Sequence, residues 1–160
     1  MTRAPCSCIA VILLLALGIS AEKSFAQSQL DGAWEVTYAL ADSVESNQAG
    51  LYIFQAGFYS VLHVWSNEPR PLYEDGETRE SIDIDKLLAI VVPVESNSGR
   101  FEIDGSTLIM RPMVAISPNF MRGESREYSF SLSGDELTLH GGLIRGSLEI
   151  TRALTLRRLR

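Results

Sequence analysis

From residue 30 onward the apolar residues recur at every second position, a period that specifies strands. Trp34, Val36, Tyr38 and Leu40 alternate with Ala33, Glu35, Thr37 and Ala39, which puts the two sets on opposite faces of a half-buried strand. Leu51–Gln55 and Phe58–Ser66 are further runs rich in β-branched and aromatic residues, joined through Ala56-Gly57. They read as a hairpin. Arg100–Asp104 and Ser106–Ile116 flank Asp104-Gly105, and Glu124–Leu132 and Glu136–His140 flank Ser133-Gly134-Asp135. A glycine beside an aspartate supplies the positive φ that tight hairpin turns require. Ser147–Leu159 alternates again, with Ile150, Arg152, Leu154, Leu156 and Arg158 on one side.

The pattern fails once. Pro69, Pro71 and Gly76 mark a loop, after which Ile84, Leu87, Leu88 and Val91 fall at i, i+3, i+4 and i+7, the spacing of a short amphipathic helix. Ile90-Val91-Val92 is open to a strand reading as well. Eight strands joined by short turns must protect their edges, and closing the sheet on itself does so. The expected fold is therefore all-β: an antiparallel up-and-down eight-stranded barrel with one short helix.

The densest apolar run lies outside this pattern. Ile9–Ile19 is eleven residues long, whereas a membrane helix needs about 20 apolar residues and a signal-peptide core only about 7 to 15. Arg3 supplies a positive flank, and Ser24-Phe25-Ala26 places small residues at −3 and −1 of a cleavage site. Residues 1–26 are thus predicted to be a signal peptide and 27–160 a single exported domain, periplasmic or secreted. Cleavage removes Arg3, Lys23 and Glu22, which takes the formal charge from −6 to −7, and it also removes the two cysteines, Cys6 and Cys8. The exported domain then has no thiol for a disulfide, a metal or nucleophilic attack. A lipid-accepting cysteine would follow the apolar core, and these precede it. An acidic domain lacks the basic footprint that nucleic acid demands, and no second apolar run has the length of a membrane span.

Signatures of chemistry are sparse. His63 and His140 sit on different predicted strands, with no donor near either at a zinc-like spacing; no metal and no cofactor is expected. The acidic stretch from Glu74 to Asp85 lacks the ligand spacing of a calcium loop and reads as a solvated loop and helix face. Gly123-Glu124-Ser125-Arg126-Glu127 misses the second glycine of a nucleophile elbow. With no catalytic residue to name, binding is the default.

An ordered set of short motifs carries a resemblance. Leu30-Asp31-Gly32-Ala33-Trp34 has the Gly-x-Trp arrangement that opens many lipocalins. Gly50-Leu51-Tyr52-Ile53-Phe54, Phe58-Tyr59-Ser60, Gly99–Gly105, Ser117-Pro118-Asn119-Phe120 and Gly134–Leu139 follow in order, and Leu154-Thr155-Leu156-Arg157-Arg158 closes the chain. From about Leu30 to Leu159 this succession resembles the lipocalin-like domain of bacterial exported proteins. The resemblance implies a small barrel with a ligand-binding calyx. Many relatives carry consecutive histidines on the strand aligned with Met110-Arg111, and this chain has neither; Pro112 beside them implies an edge, a bulge or a bend.

The expected function is the binding of a small apolar or amphiphilic molecule in the barrel cavity. Tyr38, His63, Arg111 and Tyr128 are the polar cavity candidates, and Met110, Met113 and Met121 are adaptable apolar ones. Two other readings stay open: an isomerase or cyclase using His63 or Tyr38 as acid or base, and a structural domain whose barrel is packed solid. For barrel closure, Trp34 near the start of the first strand should meet Arg158 near the end of the last, with the guanidinium stacked on the indole. Arg157, of opposite parity, competes for that place.

Overall fold

A computed structural model describes residues 27–121, 125–144 and 151–160. The predicted signal peptide, Cys6 and Cys8 lie outside the described residues. Nine strands form one antiparallel sheet: β1 (Gly32–Ala41), β2 (Val44–Ser46), β3 (Gly50–Gln55), β4 (Phe58–Val64), β5 (Val94–Asp104), β6 (Thr107–Ala115), β7 (Arg126–Ser133), β8 (Glu136–Ile144) and β9 (Arg152–Arg158). From β3 to β9 each strand pairs with the next, and β1 pairs with both β3 and β9. The result is the closed eight-stranded up-and-down barrel that the alternation predicts, with β2 as an extra strand. β2 folds back on the end of β1 through Asp42-Ser43, whose φ values of 47° and 70° give the doubly left-handed turn of a tight hairpin.

The inward faces supply a continuous core. Trp34, Tyr52, Phe54, Leu108, Tyr128, Leu137, Leu139, Leu154 and Leu156 are each at most 1% exposed. Burying one such large apolar side chain contributes about 1.5–3 kcal/mol. They fill the middle of the barrel, so it is no hollow tube. Outward positions carry Glu35, Ser60, Glu102, Arg111, Ser131 and Arg157 among others, several in surface pairs such as Arg111 to Glu102 at 2.5 Å. Large apolar side chains also stand outside, among them Leu51, Ile53, Phe58 and Leu62 of the β3–β4 hairpin. No helix among the described residues is long and apolar enough to cross a membrane.

One end of the barrel is plugged by the segment before β1. Leu30 is fully buried, and the Trp34 indole N–H donates to its carbonyl at 2.8 Å. The Arg158 guanidinium lies 4.1 Å over the Trp34 ring and donates to the carbonyls of Asp31 and, at 2.7 Å, Gln29. Trp34 and Arg158 are register partners across the β1–β9 seam. Arg157, on the other parity, faces solvent and pairs with Glu35.

Three ladders among the described residues carry a register shift, β1–β9, β5–β6 and, between Glu127 and Tyr128, β7–β8. In the β1–β9 ladder the register shifts between Val36 and Tyr38; beyond it Ala39 turns inward and Tyr38 outward, 40% exposed. Tyr38 is therefore no interior residue, although it continues the alternation of Trp34 and Val36. In the β5–β6 ladder the shift falls between Ser98 and Gly99, which face Val114 and Pro112 and leave Met113 unpaired. Gly99 is obligatory there, because a Cβ would lie 2.0 Å from the Arg111 carbonyl oxygen. Arg111 points outside to Glu102, and Met113 and Met121 are 63% and 46% exposed. Only Met110 of the three methionines joins the core.

The helix α1 (Ile84–Val91) forms where its spacing predicts, started by Asp83, whose carboxylate accepts from the N–H groups of Asp85 at 2.9 Å and Lys86 at 3.3 Å. It leads through Val92 and Pro93 into β5 at the end of the barrel opposite Trp34. None of its residues is fully buried; Ile84 and Leu88 face solvent.

Candidate functional site

The unplugged end holds a pocket of about 540 Å³. Its wall is apolar, made by Val91, Val92 and Pro93 after α1, Val94 of β5, Ile116 beyond β6, and Phe120 in a single 3-10 turn, Pro118–Met121. Its floor is charged: Trp65, Glu95, Arg126 and Arg152. The size lies within the range of about 300–1,000 Å³ usual for small-molecule sites, and so does the makeup, an apolar lining with a few convergent polar groups.

Four strand ends build that floor. Trp65 follows β4, Glu95 is the second residue of β5, Arg126 begins β7 and Arg152 begins β9. The carboxylate of Glu95 is fully engaged. One oxygen accepts from Arg126 Nη1 and from Asn97 Nδ2 at 3.0 Å; the other accepts from Arg152 Nη1 at 2.5 Å and from the Trp65 indole N–H at 2.7 Å. Aromatic faces hold the two guanidiniums, with Arg152 4.4 Å over Trp65 and Arg126 4.1 Å over Phe120. Glu95, Arg126 and Arg152 are all buried. Burial alone would raise the Glu95 pKa, but Arg152 and Arg126 outweigh it and hold the carboxyl below its ordinary value.

Beneath this floor lie polar groups with no hydrogen-bond partner among the described residues. His63 is completely buried, its ring 4.3 Å from Trp65, and neither ring nitrogen has a hydrogen-bond partner. Burial lowers its pKa to about 4, with Arg152 adding to that effect and Glu95 opposing it, so the imidazole is neutral at pH 7. The Tyr52 hydroxyl is likewise unpartnered, and burial raises its pKa well above the ordinary value.

The sequence-predicted residues divide cleanly. His63 and Tyr128 are interior, at 0% and 1% exposure, yet sit below the pocket and do not line it. Tyr38 and Arg111 lie outside the barrel, and His140 is exposed. Glu95, Arg126 and Arg152, the buried charged residues that line the pocket, were missed. A signal for them existed: Arg152 shares the parity of Leu154 and Leu156, and Arg126 that of Tyr128, so each charge occupies an inward position. A charge in the apolar phase of a strand needs a buried partner. Glu95 carried no such mark, because Val94–Gly99 is too polar to read as a strand.

Among the described residues no group of three His, Cys, Asp or Glu side chains is placed to hold a metal ion. No family model matches the chain, and no curated protein or solved structure matches it either.

Proposed function

We propose that this chain is a lipocalin-like barrel that binds a small apolar or amphiphilic molecule in the pocket at its open end. The observation that carries this reading is the pocket itself: about 540 Å³, walled by aliphatic and aromatic side chains and floored by a buried ionic cluster. Buried charges at one end are not needed for stability, since well-packed apolar residues of similar volume often stabilise as well or better. The packed interior below the cluster confines the ligand to the mouth, where α1 and the 3-10 turn stand beside it. His63 and Tyr52, the buried groups with acid or base chemistry, lie beneath the floor, so binding is favoured over catalysis.

We further propose that the domain acts outside the cytoplasm after cleavage behind Ala26, on the grounds of the Ile9–Ile19 run, its basic flank and the small residues at the exit. N-terminal sequencing of the exported protein should begin at Gln27, and a start before residue 20 would contradict it. The binding reading is tested by native mass spectrometry of protein purified from its own host. Retention of a small molecule, released on acid denaturation, is expected. Uniformly empty protein that also takes up no apolar probe would overturn the reading.

A further inference from the structure

Resting on the pocket-binding reading above, we propose that the ligand is a singly charged anionic amphiphile, with its carboxylate held by Arg126 and its apolar body lying along the wall of Val92, Val94, Ile116 and Phe120.

The first ground is charge. Two guanidiniums, Arg126 and Arg152, share the one carboxylate of Glu95, and all three side chains are at most 10% exposed. The other titratable groups inside do not alter the balance, because His63 is neutral and burial keeps the Tyr52 and Tyr59 hydroxyls protonated. A guanidinium does not shed its proton to escape burial. Among the described residues the floor therefore carries one uncompensated positive charge.

The second ground is geometry. Each Glu95 oxygen already accepts two hydrogen bonds, so Glu95 has no capacity left for the second Arg126 nitrogen. That nitrogen, Nη2, is buried and has no partner among the described residues. Arg126 is 6% exposed and lines the pocket. Its plane is fixed by the Phe120 ring on one face and its Nη1 bond to Glu95. A fixed, charged donor with nothing to donate to is complementary to an anionic oxygen.

The surroundings decide the class of anion. Beyond the floor the wall is aliphatic and aromatic, which a small hydrophilic ion leaves uncovered. Asp42 also borders the pocket, but it sits exposed at the rim with its carboxylate accepting from the Thr151 N–H at 3.2 Å. It disfavours added negative charge there, so the charged end belongs on the floor and the apolar end at the rim. One surplus positive charge matches one negative charge; a doubly charged phosphate monoester would leave a buried excess.

The test is calorimetric titration of the purified protein with decanoate, decan-1-ol and acetate at pH 7.5. Decanoate should bind at least about tenfold more tightly than decanol, with acetate undetectable at the same concentrations. Arg126→Gln should bring decanoate to within about threefold of decanol and leave decanol unchanged, whereas Arg126→Lys, which keeps the charge, should retain most of the preference. Equal binding of decanoate and decanol by the unaltered protein would overturn this proposal while leaving the pocket reading intact, and needs no variant to fold. A preference that survives Arg126→Gln would overturn the assignment to Arg126. Acetate binding as tightly as decanoate would show a free-anion site and overturn the amphiphile. Binding of none of the three would overturn the pocket reading together with this one.

Discussion

At the scale of single residues, the barrel keeps several polar groups in apolar surroundings, and each has a measurable cost. His63 is the clearest. With a folded pKa of about 4 against an ordinary 6.5, it takes up its proton less readily folded than unfolded. Above pH 6.5 both states are neutral and His63 contributes no slope. As the pH falls from 6.5 towards 4 the unfolded chain gains the proton first, and stability should drop by about 3 kcal/mol across that window. Denaturant titrations at steps of pH should show this slope, and His63→Leu, of similar volume and without the unpartnered nitrogens, should remove it above the ordinary carboxylate range. A wild-type stability flat from pH 6.5 to 4 would contradict the burial of the ring. Glu95 acts in the same direction, over a lower pH range. Its folded pKa is depressed, so its contribution is complete above the ordinary carboxylate range and fades as the pH falls through the folded value. Glu95→Ala should cost about 3–5 kcal/mol at pH 7, because it leaves two buried guanidiniums facing each other; a loss under 1 kcal/mol by urea denaturation would show that the cluster is open to water.

At the scale of elements, the alternation located seven of the eight barrel strands along most of their length, and the Asp-Gly and Gly-Asp turns located their hairpins. The exception was the first half of β5. Val94-Glu95-Ser96-Asn97-Ser98-Gly99 is too polar to read as a strand, and it is polar because Glu95 and Asn97 face the charged floor rather than the apolar core. The buried ionic cluster erased the structural signal there. The bulges were invisible for a different reason: an extra residue in a ladder leaves the composition of a strand unchanged, yet it flips every side chain beyond it. That is why Tyr38 was assigned to the wrong face, whereas Arg111 precedes its bulge and points outward by plain alternation with Leu108 and Met110; His63 sits on an unbroken stretch, and Tyr128 keeps its inward parity because the extra residue beside it falls in β8. β2 is three residues long and set by the two left-handed residues Asp42 and Ser43, neither of them glycine. The β1–β9 seam lends itself to a direct comparison. Arg158→Ala removes the stacking on Trp34 and two bonds to backbone carbonyls, and should destabilise by about 1–3 kcal/mol. Arg157→Ala removes only an exposed pair with Glu35 and should cost under about 1 kcal/mol. Thermal melts of the two variants should rank in that order; the reverse would place the seam one residue out of register.

At the scale of the whole molecule, the two ends of one barrel differ in construction. At one end Leu30, Trp34 and Arg158 make a dry plug; at the other, strand ends from β4, β5, β7 and β9 bring Trp65, Glu95, Arg126 and Arg152 to the floor of an apolar cup. No local pattern in the chain announces that cup, since its residues are drawn together only by closure of the sheet. The difference also supplies its own probes. The chain has two tryptophans, one at each end: the Trp34 indole N–H donates to the Leu30 carbonyl in the plug, and that of Trp65 donates to Glu95 beneath the pocket. By register Trp34 is level with Tyr52 and Val61, four residues before Trp65, a separation of roughly 13 Å at about 3.3 Å per residue, so a ligand in the cup reaches the Trp65 indole first. In a two-dimensional proton–nitrogen spectrum of the labelled protein titrated with decanoate, the Trp65 indole resonance should move progressively to saturation while the Trp34 resonance stays in place. Movement of the Trp34 resonance alone, or of neither, would contradict a binding site at the open end of the barrel.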